Sequence, residues 1–119
     1  MAQFTTDLIL DPLPKRKWRV VFPLVYVSDI AGTLVVPTDF VCDLNSIPRF
    51  LWFASTPTDY PEAGVLHDWS YRGNLPREIA DKVYLEALQA PGMGKTRAQA
   101  RYRALRLFGR FAYKRASLP

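Results

Sequence analysis

An acidic residue lies within the apolar face of a predicted helix, and this feature constrains the fold more than any other. Across residues 76–90 the apolar side chains recur at helical spacing and form one continuous arc. The arc consists of Ile79, Ala80, Val83, Tyr84, Ala87 and Leu88, and Leu85 extends it past Asp81. A carboxylate buried without a bonding partner is costly. We therefore expect Asp81 to have a polar partner within the fold.

The N-terminal half of the chain is typical of strands. Residues 18–26, WRVVFPLVY, are mainly β-branched and aromatic, and Pro23 places this strand at a sheet edge or a bulge. A loop containing Gly32 leads to residues 33–36, which can return antiparallel as a hairpin. Residues 40–42 predict a short third strand or bridge, and the first ten residues offer one more strand before the Pro12/Pro14 break.

The C-terminal half is typical of helices. A short helix over residues 50–53, with Ser46 as its N-cap, is followed by a helix that begins at Thr58 or Asp59 and ends near Tyr71. The helix over residues 76–90 and a last one over residues 96–115 complete the set. The predicted fold is α+β: a small antiparallel sheet from the N-terminal half covered by three to four helices from the C-terminal half. Its 119 residues fit a single domain, 1–119.

Composition excludes several classes of protein. With one Cys and one His, the chain has no internal disulfide and no zinc finger. It contains no run of about 18 apolar residues, as a membrane span requires, and its N-terminal region is not that of a signal peptide. The sequence therefore predicts a cytosolic product.

The net charge of +5 favours an acidic partner, and much of the positive charge lies in the last predicted helix. Its predicted buried face contains Tyr102, Leu105, Leu107, Phe108, Phe111 and Ala112. The opposite stripe contains Arg103, Arg106, Arg110 and Lys114. Nucleic acid could bind this stripe, but no aromatic residue interleaves it as a stacking platform requires. A solvated face is the favoured interpretation.

Three polar motifs occur in order: VPTDFVCDLNSIPR at residues 36–49, HDWSY at 67–71 and REIADKVYLEAL at 77–88. Together they resemble a family of small phage- and prophage-encoded proteins catalogued as a domain of unknown function, over residues 18–109. The resemblance implies a phage origin and one polar cluster. For a phage product we expect synthesis in the host cytoplasm, with the virion as a second location. The members of that cluster are Asp43, Ser46, Arg49, His67, Asp68 and Asp81.

Three kinds of chemistry are open to this cluster. His67, Asp68, Asp43 and Asp81 could hold a divalent metal, with magnesium or manganese favoured over zinc. Alternatively, Ser46 could act as a nucleophile with His67 as its base and one of the aspartates orienting it. A dyad of Cys42 and His67 is a third option, weakened because Cys42 lies in a predicted strand.

A purely structural role is favoured over each catalytic one. Asp43 could accept backbone N–H groups, Arg49 could pair with Asp81 or Asp68, and His67 could bridge them, so that the cluster fastens the sheet to the helices. In this interpretation Tyr71 only packs. The first functional hypothesis is a virion or tail accessory or assembly protein that acts through protein–protein contacts. The alternatives are a small hydrolase of cell-wall peptide or phosphoester, and nucleic-acid binding by the basic stripe.

Overall fold

The computed structural model describes residues 2–42 and 61–116, and within them strands precede helices. Six strands come first: β1 (Gln3–Phe4), β2 (Leu10–Leu13), β3 (Lys17–Val20), β4 (Leu24–Ser28), β5 (Gly32–Val36) and β6 (Val41–Cys42). Three α-helices follow: α1 (Pro61–Trp69), α2 (Arg77–Gln89) and α3 (Lys95–Ala116). A π-helical turn, Ser70–Asn74, joins α1 to α2. The predicted α+β class is confirmed, and the helix predicted over residues 50–53 lies outside the described residues.

The strands form two antiparallel three-stranded sheets where the sequence predicted one. The first sheet has the order β1-β4-β5, and the second has the order β2-β3-β6. The hairpin of β4 and β5 is confirmed, with Tyr26 opposite Leu34. The short third strand is also confirmed, because β6 pairs with β3 through Cys42 and Trp18.

The single strand predicted over residues 18–26 is wrong, because the chain leaves one sheet and enters the other at this point. Pro23 has no N–H to donate to a ladder and lies between β3 and β4. Instead, Thr6 Oγ1 donates to the Pro23 carbonyl at 3.0 Å and accepts from Val25 N at 2.9 Å. This hydroxyl ties the N-terminal segment to the start of β4.

Pro12 also differs from expectation, since it lies inside β2 and does not end a strand. It stands opposite Trp18 in the register between β2 and β3. β2 is an edge strand of its sheet, and proline is tolerated at an edge because its missing N–H is not needed on the open side.

The hydrophobic core lies between the sheets and the helices. From the sheets it receives Val20, Leu24, Tyr26, Leu34, Val36 and Cys42; from the helices it receives Ala63, Val65, Leu66, Val83, Ala87 and Leu88. The predicted face of α2 is confirmed: Ala80, Asp81, Val83, Tyr84, Ala87 and Leu88 are all buried. No helix in the described part of the chain is both long enough and apolar enough to cross a bilayer.

Candidate functional site

Asp81 is the centre of the polar cluster and is fully buried. Its Oδ1 lies 3.1 Å from His67 Nε2 and accepts the Tyr71 hydroxyl at 2.5 Å. Its Oδ2 accepts Arg106 Nη1 at 2.9 Å and lies 3.8 Å from Arg77 Nε. The carboxylate that the sequence places in an apolar face therefore has four polar neighbours from α1, the π-helical turn, α2 and α3.

Local helix geometry brings these side chains together. His67 and Tyr71 are four residues apart, as are Arg77 and Asp81, so each pair lies on one side of its helix. The ring centroids of His67 and Tyr71 are 4.0 Å apart, and Tyr84 packs on the other side of His67 at 4.8 Å. The imidazole is thus held between two aromatic rings and is largely buried, with 13% of its side chain exposed.

The π-helical turn orients Tyr71. Ser70 Oγ donates to the Leu66 carbonyl at 2.7 Å, and Gly73 within the turn takes a φ of 89°. Glycine adopts this left-handed conformation without a steric penalty. The chain can therefore reverse between α1 and α2 directly after Tyr71.

Burial and the neighbouring polar groups shift the pKa of Asp81 in opposite directions. Burial alone would raise the pKa of the carboxyl, but hydrogen bonds from His67, Tyr71 and Arg106, together with the charge of His67, leave that pKa below its ordinary value. Burial, followed by the hydrogen bond to Asp81, raises the pKa of the Tyr71 hydroxyl. The hydrogen bond to Asp81 raises the pKa of Arg106. These directions describe an ionised carboxylate, a neutral tyrosine donor and a charged arginine.

Arg77 joins two helices in addition to lying near Asp81. Its Nη2 donates to the backbone carbonyls of Leu105 at 2.7 Å and Arg106 at 2.9 Å on α3. Its Nε is buried and has no hydrogen bond among the described residues, so its nearest compensation is the Asp81 carboxylate at 3.8 Å. Arg77 therefore fixes α3 against α2 at the same level as the Asp81 cluster.

The predicted cluster is only partly assembled within the described residues. His67 and Asp81 meet, whereas Asp68 faces Arg72 at 3.8 Å. Asp43, Ser46 and Arg49 lie outside the described residues. Cys42 is buried, with its thiol 3.6 Å from the Trp18 carbonyl. Over residues 2–42 and 61–116, no three His, Cys, Asp or Glu side chains come together as a metal site.

Comparison with known protein families identifies the family of this chain. A family model described as a protein of unknown function (DUF1353) matches residues 18–105, about three quarters of the chain. The chain belongs to the DUF1353 family. No curated protein and no solved structure gives a significant match. The DUF1353 match includes His67, Tyr71, Arg77 and Asp81, and it ends one residue before Arg106.

Two members of the Asp81 cluster differ from the sequence interpretation. Tyr71, expected only to pack, donates to Asp81. Arg106, expected on the exposed stripe, turns to Asp81, and Leu107, expected in the buried face, has 74% of its surface exposed. The reason is that Ala98 and Arg101 set the buried side of α3, which rotates the helix relative to the predicted face.

A second polar cluster within the DUF1353 match was missed altogether. Glu86 on α2 accepts the Tyr26 hydroxyl and the Ser28 hydroxyl, each at 2.7 Å, and the Asp29 backbone N–H at 3.2 Å. Ser28 Oγ in turn accepts the backbone N–H groups of Ile30 and Ala31. Glu86 therefore fastens the β4–β5 hairpin to α2. Nothing in the sequence pattern indicates this pairing, since the partners are about 58 residues apart.

Proposed function

We propose that this DUF1353 protein is a phage-encoded accessory or assembly subunit of the virion, in or near the tail, and that it acts through contacts with other phage proteins. The phage origin rests on the three motifs at residues 36–49, 67–71 and 77–88. The proposed mode of action rests on the outward surface of α3. The buried Asp81 cluster, by contrast, makes its contacts within the fold.

The observation that carries the proposal is the exposure of Leu107 on a basic helix. α3 contains two lysines and six arginines and no acidic residue, and Leu107 is the most exposed large apolar side chain described. Arg103, also exposed, lies one helical turn before Leu107 on the same side. In the sequence, Arg110 and Lys114 follow three and seven residues after Leu107, although their side chains lie outside the described part.

A surface of this kind matches a partner that presents acidic groups around an apolar pocket. Burying one leucine side chain stabilises a complex by roughly 1.5–3 kcal/mol, and the surrounding charges raise the association rate and select the partner. Bare nucleic acid offers no equivalent site for an exposed leucine beside an exposed arginine. The α3 surface therefore favours a protein partner.

The Asp81 cluster supports the same conclusion. Both carboxylate oxygens already have neighbours within the fold, and His67 is clamped between Tyr71 and Tyr84. A hydrogen-bonded network of this kind fixes the packing of three helices. This arrangement supports a structural role for the cluster, in which it fastens the helices to one another.

The test is incorporation of the protein into particles. A phage that lacks this gene is complemented in trans with the native chain, Arg103→Gln, Leu107→Gln or Lys95→Gln, and the protein in purified particles is quantified by mass spectrometry. Lys95 is exposed on the same helix but off the Leu107 stripe, so Lys95→Gln is the matched control for loss of one charge. We expect Leu107→Gln to reduce incorporation at least about tenfold, Arg103→Gln to reduce it less, and the control to match the native chain.

The same variants separate a protein partner from nucleic acid. Nucleic-acid affinity would fall steeply with salt and with loss of Arg103, and it would be unaffected by Leu107→Gln because that change leaves the charge intact. Native incorporation of Leu107→Gln, together with salt-dependent DNA or RNA binding that Arg103→Gln weakens, would refute the proposal.

A second candidate function, a small hydrolase of cell-wall peptide or phosphoester, draws on one observation. An imidazole 3.1 Å from a buried carboxylate is the arrangement that orients a general base. His67→Gln keeps a side-chain N–H for Asp81 but removes the base. Hydrolysis of peptidoglycan or of a phosphodiester by the native chain, abolished in a folded His67→Gln protein, would favour this candidate.

A further inference from the structure

Strand β5 is an edge strand within the described part of the chain. It is the outer strand in the order β1-β4-β5, and no strand in the described part of the chain pairs with its far side. Its five residues, GTLVV, include neither a charge nor a proline. Natural sheets usually protect their edges with such residues, because unpaired backbone groups bind other strands.

The register identifies which backbone groups face outward. Thr5 N donates to the Val25 carbonyl, so Val25 directs its backbone groups toward β1. Backbone direction alternates along a strand, so Leu24, Tyr26 and Ser28 face β5, where their partners are Val36, Leu34 and Gly32. The N–H and C=O groups of Thr33 and Val35 therefore point away from the sheet.

The side chains at these two positions are accessible as well. Val35 has 44% of its surface exposed, and Thr33 is exposed beside it on the outer face of the sheet. Leu34, between them, points into the core with only 7% exposed. A strand added to β5 would thus meet two pairs of backbone groups that no described strand uses, without disturbing the core.

We propose that a second copy of this chain pairs with β5, and that the two β5 strands run antiparallel about a two-fold axis at Leu34. In this register Thr33 of each copy stands opposite Val35 of the other, and each pair exchanges two hydrogen bonds. The product is a continuous six-stranded sheet with the order β1-β4-β5-β5-β4-β1.

The edge is self-complementary, which is why a second copy is its occupant. Two outward-facing residues two positions apart map onto each other under a two-fold rotation, as an isologous interface requires. Because β5 carries no charge, like charges do not repel when it meets itself, and no charge selects a different partner. The threonine and valine that meet are both favourable strand residues.

The test combines sedimentation equilibrium with a variant aimed at one outward amide. Val35→Pro removes the Val35 N–H, which the monomer does not use in its own ladder, and therefore deletes two of the four intermolecular hydrogen bonds. Val35→Thr keeps the amide and the branched side chain and is the matched control. We expect a monomer–dimer equilibrium for the native chain, a dissociation constant at least about tenfold higher for Val35→Pro, and one within about twofold for Val35→Thr.

Amide hydrogen exchange on the native chain keeps the proposal testable if Val35→Pro does not fold. The Thr33 and Val35 amides should exchange more slowly as protein concentration rises, while those of Leu34 and Val36 stay protected throughout. A native chain that is monomeric at its highest soluble concentration would overturn the proposal. So would unchanged dimerisation of Val35→Pro, or protection of Thr33 and Val35 that does not depend on concentration.

Discussion

Arg106 Nη1 lies 2.9 Å from Asp81 Oδ2, and this contact joins α3 to α2 at a carboxylate with no solvent exposure. The same carboxylate binds His67 and Tyr71 through its other oxygen. One acidic side chain therefore holds three helices in register. Removing one member of such a buried network destabilises the fold, because the opposite charges that remain are left without a partner.

Asp81→Asn should be strongly destabilising. The amide has nearly the same shape but no charge, so Arg106 and Arg77 lose the carboxylate they face. We expect the free energy of unfolding to fall by about 3–5 kcal/mol, measured by urea denaturation. Asp39→Asn is the control, because Asp39 pairs with Arg19 at an exposed site and should contribute less than about 1 kcal/mol. Equal effects of the two substitutions would contradict the role given to Asp81.

The stability supplied by Asp81 should depend on pH in one direction. Its pKa is below the ordinary value in the folded state, so its contribution is complete above the pKa of an unfolded carboxyl and is lost as pH falls through the lower folded pKa. The difference in unfolding free energy between the native chain and Asp81→Asn should shrink as pH falls below about 4. A difference that grows in acid would contradict this assignment.

The Glu86 contacts should contribute to stability independently of Asp81. Glu86→Ala leaves the hydroxyls of Tyr26 and Ser28 without their acceptor, and Tyr26 is fully buried. We expect a loss of about 2 kcal/mol in unfolding free energy. Glu78→Ala, on the same helix but exposed and paired with Lys82, should cost less than about 1 kcal/mol. If both variants unfold at the same urea concentration, the hairpin is not held by Glu86.

The buried face of α2 and the placement of Asp81 within it could be predicted from sequence, because both depend only on helical spacing. The need of Asp81 for a partner followed from the cost of a buried charge. The sequence did not identify most partners of Asp81, since Arg106 reaches Asp81 only through the rotation of α3 about its axis. Two adjacent residues, Arg106 and Leu107, were therefore assigned to the wrong sides of that helix.

The two-sheet arrangement was unpredictable for a similar reason. Residues 18–26 have uniform strand propensity. Strand propensity does not indicate where the chain passes from one sheet to the other. Pro23 was recognised as a disturbance, but whether a proline bulges a strand or ends it depends on the partners available on each side. The role of Glu86 as a hydrogen-bond acceptor could not be predicted, because it depends on which hairpin packs against α2.

Divalent metal should not change the stability of the chain. Both Asp81 oxygens already bind side-chain donors, and Asp68 faces Arg72, so neither carboxylate is poised as a ligand. We expect the thermal unfolding midpoint to be the same with EDTA, Mg²⁺ or Mn²⁺. An increase with Mn²⁺ that His67→Gln abolishes would reinstate the metal set of His67, Asp68, Asp43 and Asp81.

The most direct test of the account compares Leu107→Gln with His67→Gln in plaque formation by a phage that lacks the native gene. Both proteins should fold, since Leu107 is exposed and the glutamine at position 67 retains a donor for Asp81. We expect His67→Gln to restore plaques and Leu107→Gln to fail, because the protein acts through its α3 surface. Full plaque formation with Leu107→Gln and none with a folded His67→Gln would contradict it and identify His67 as a catalytic base.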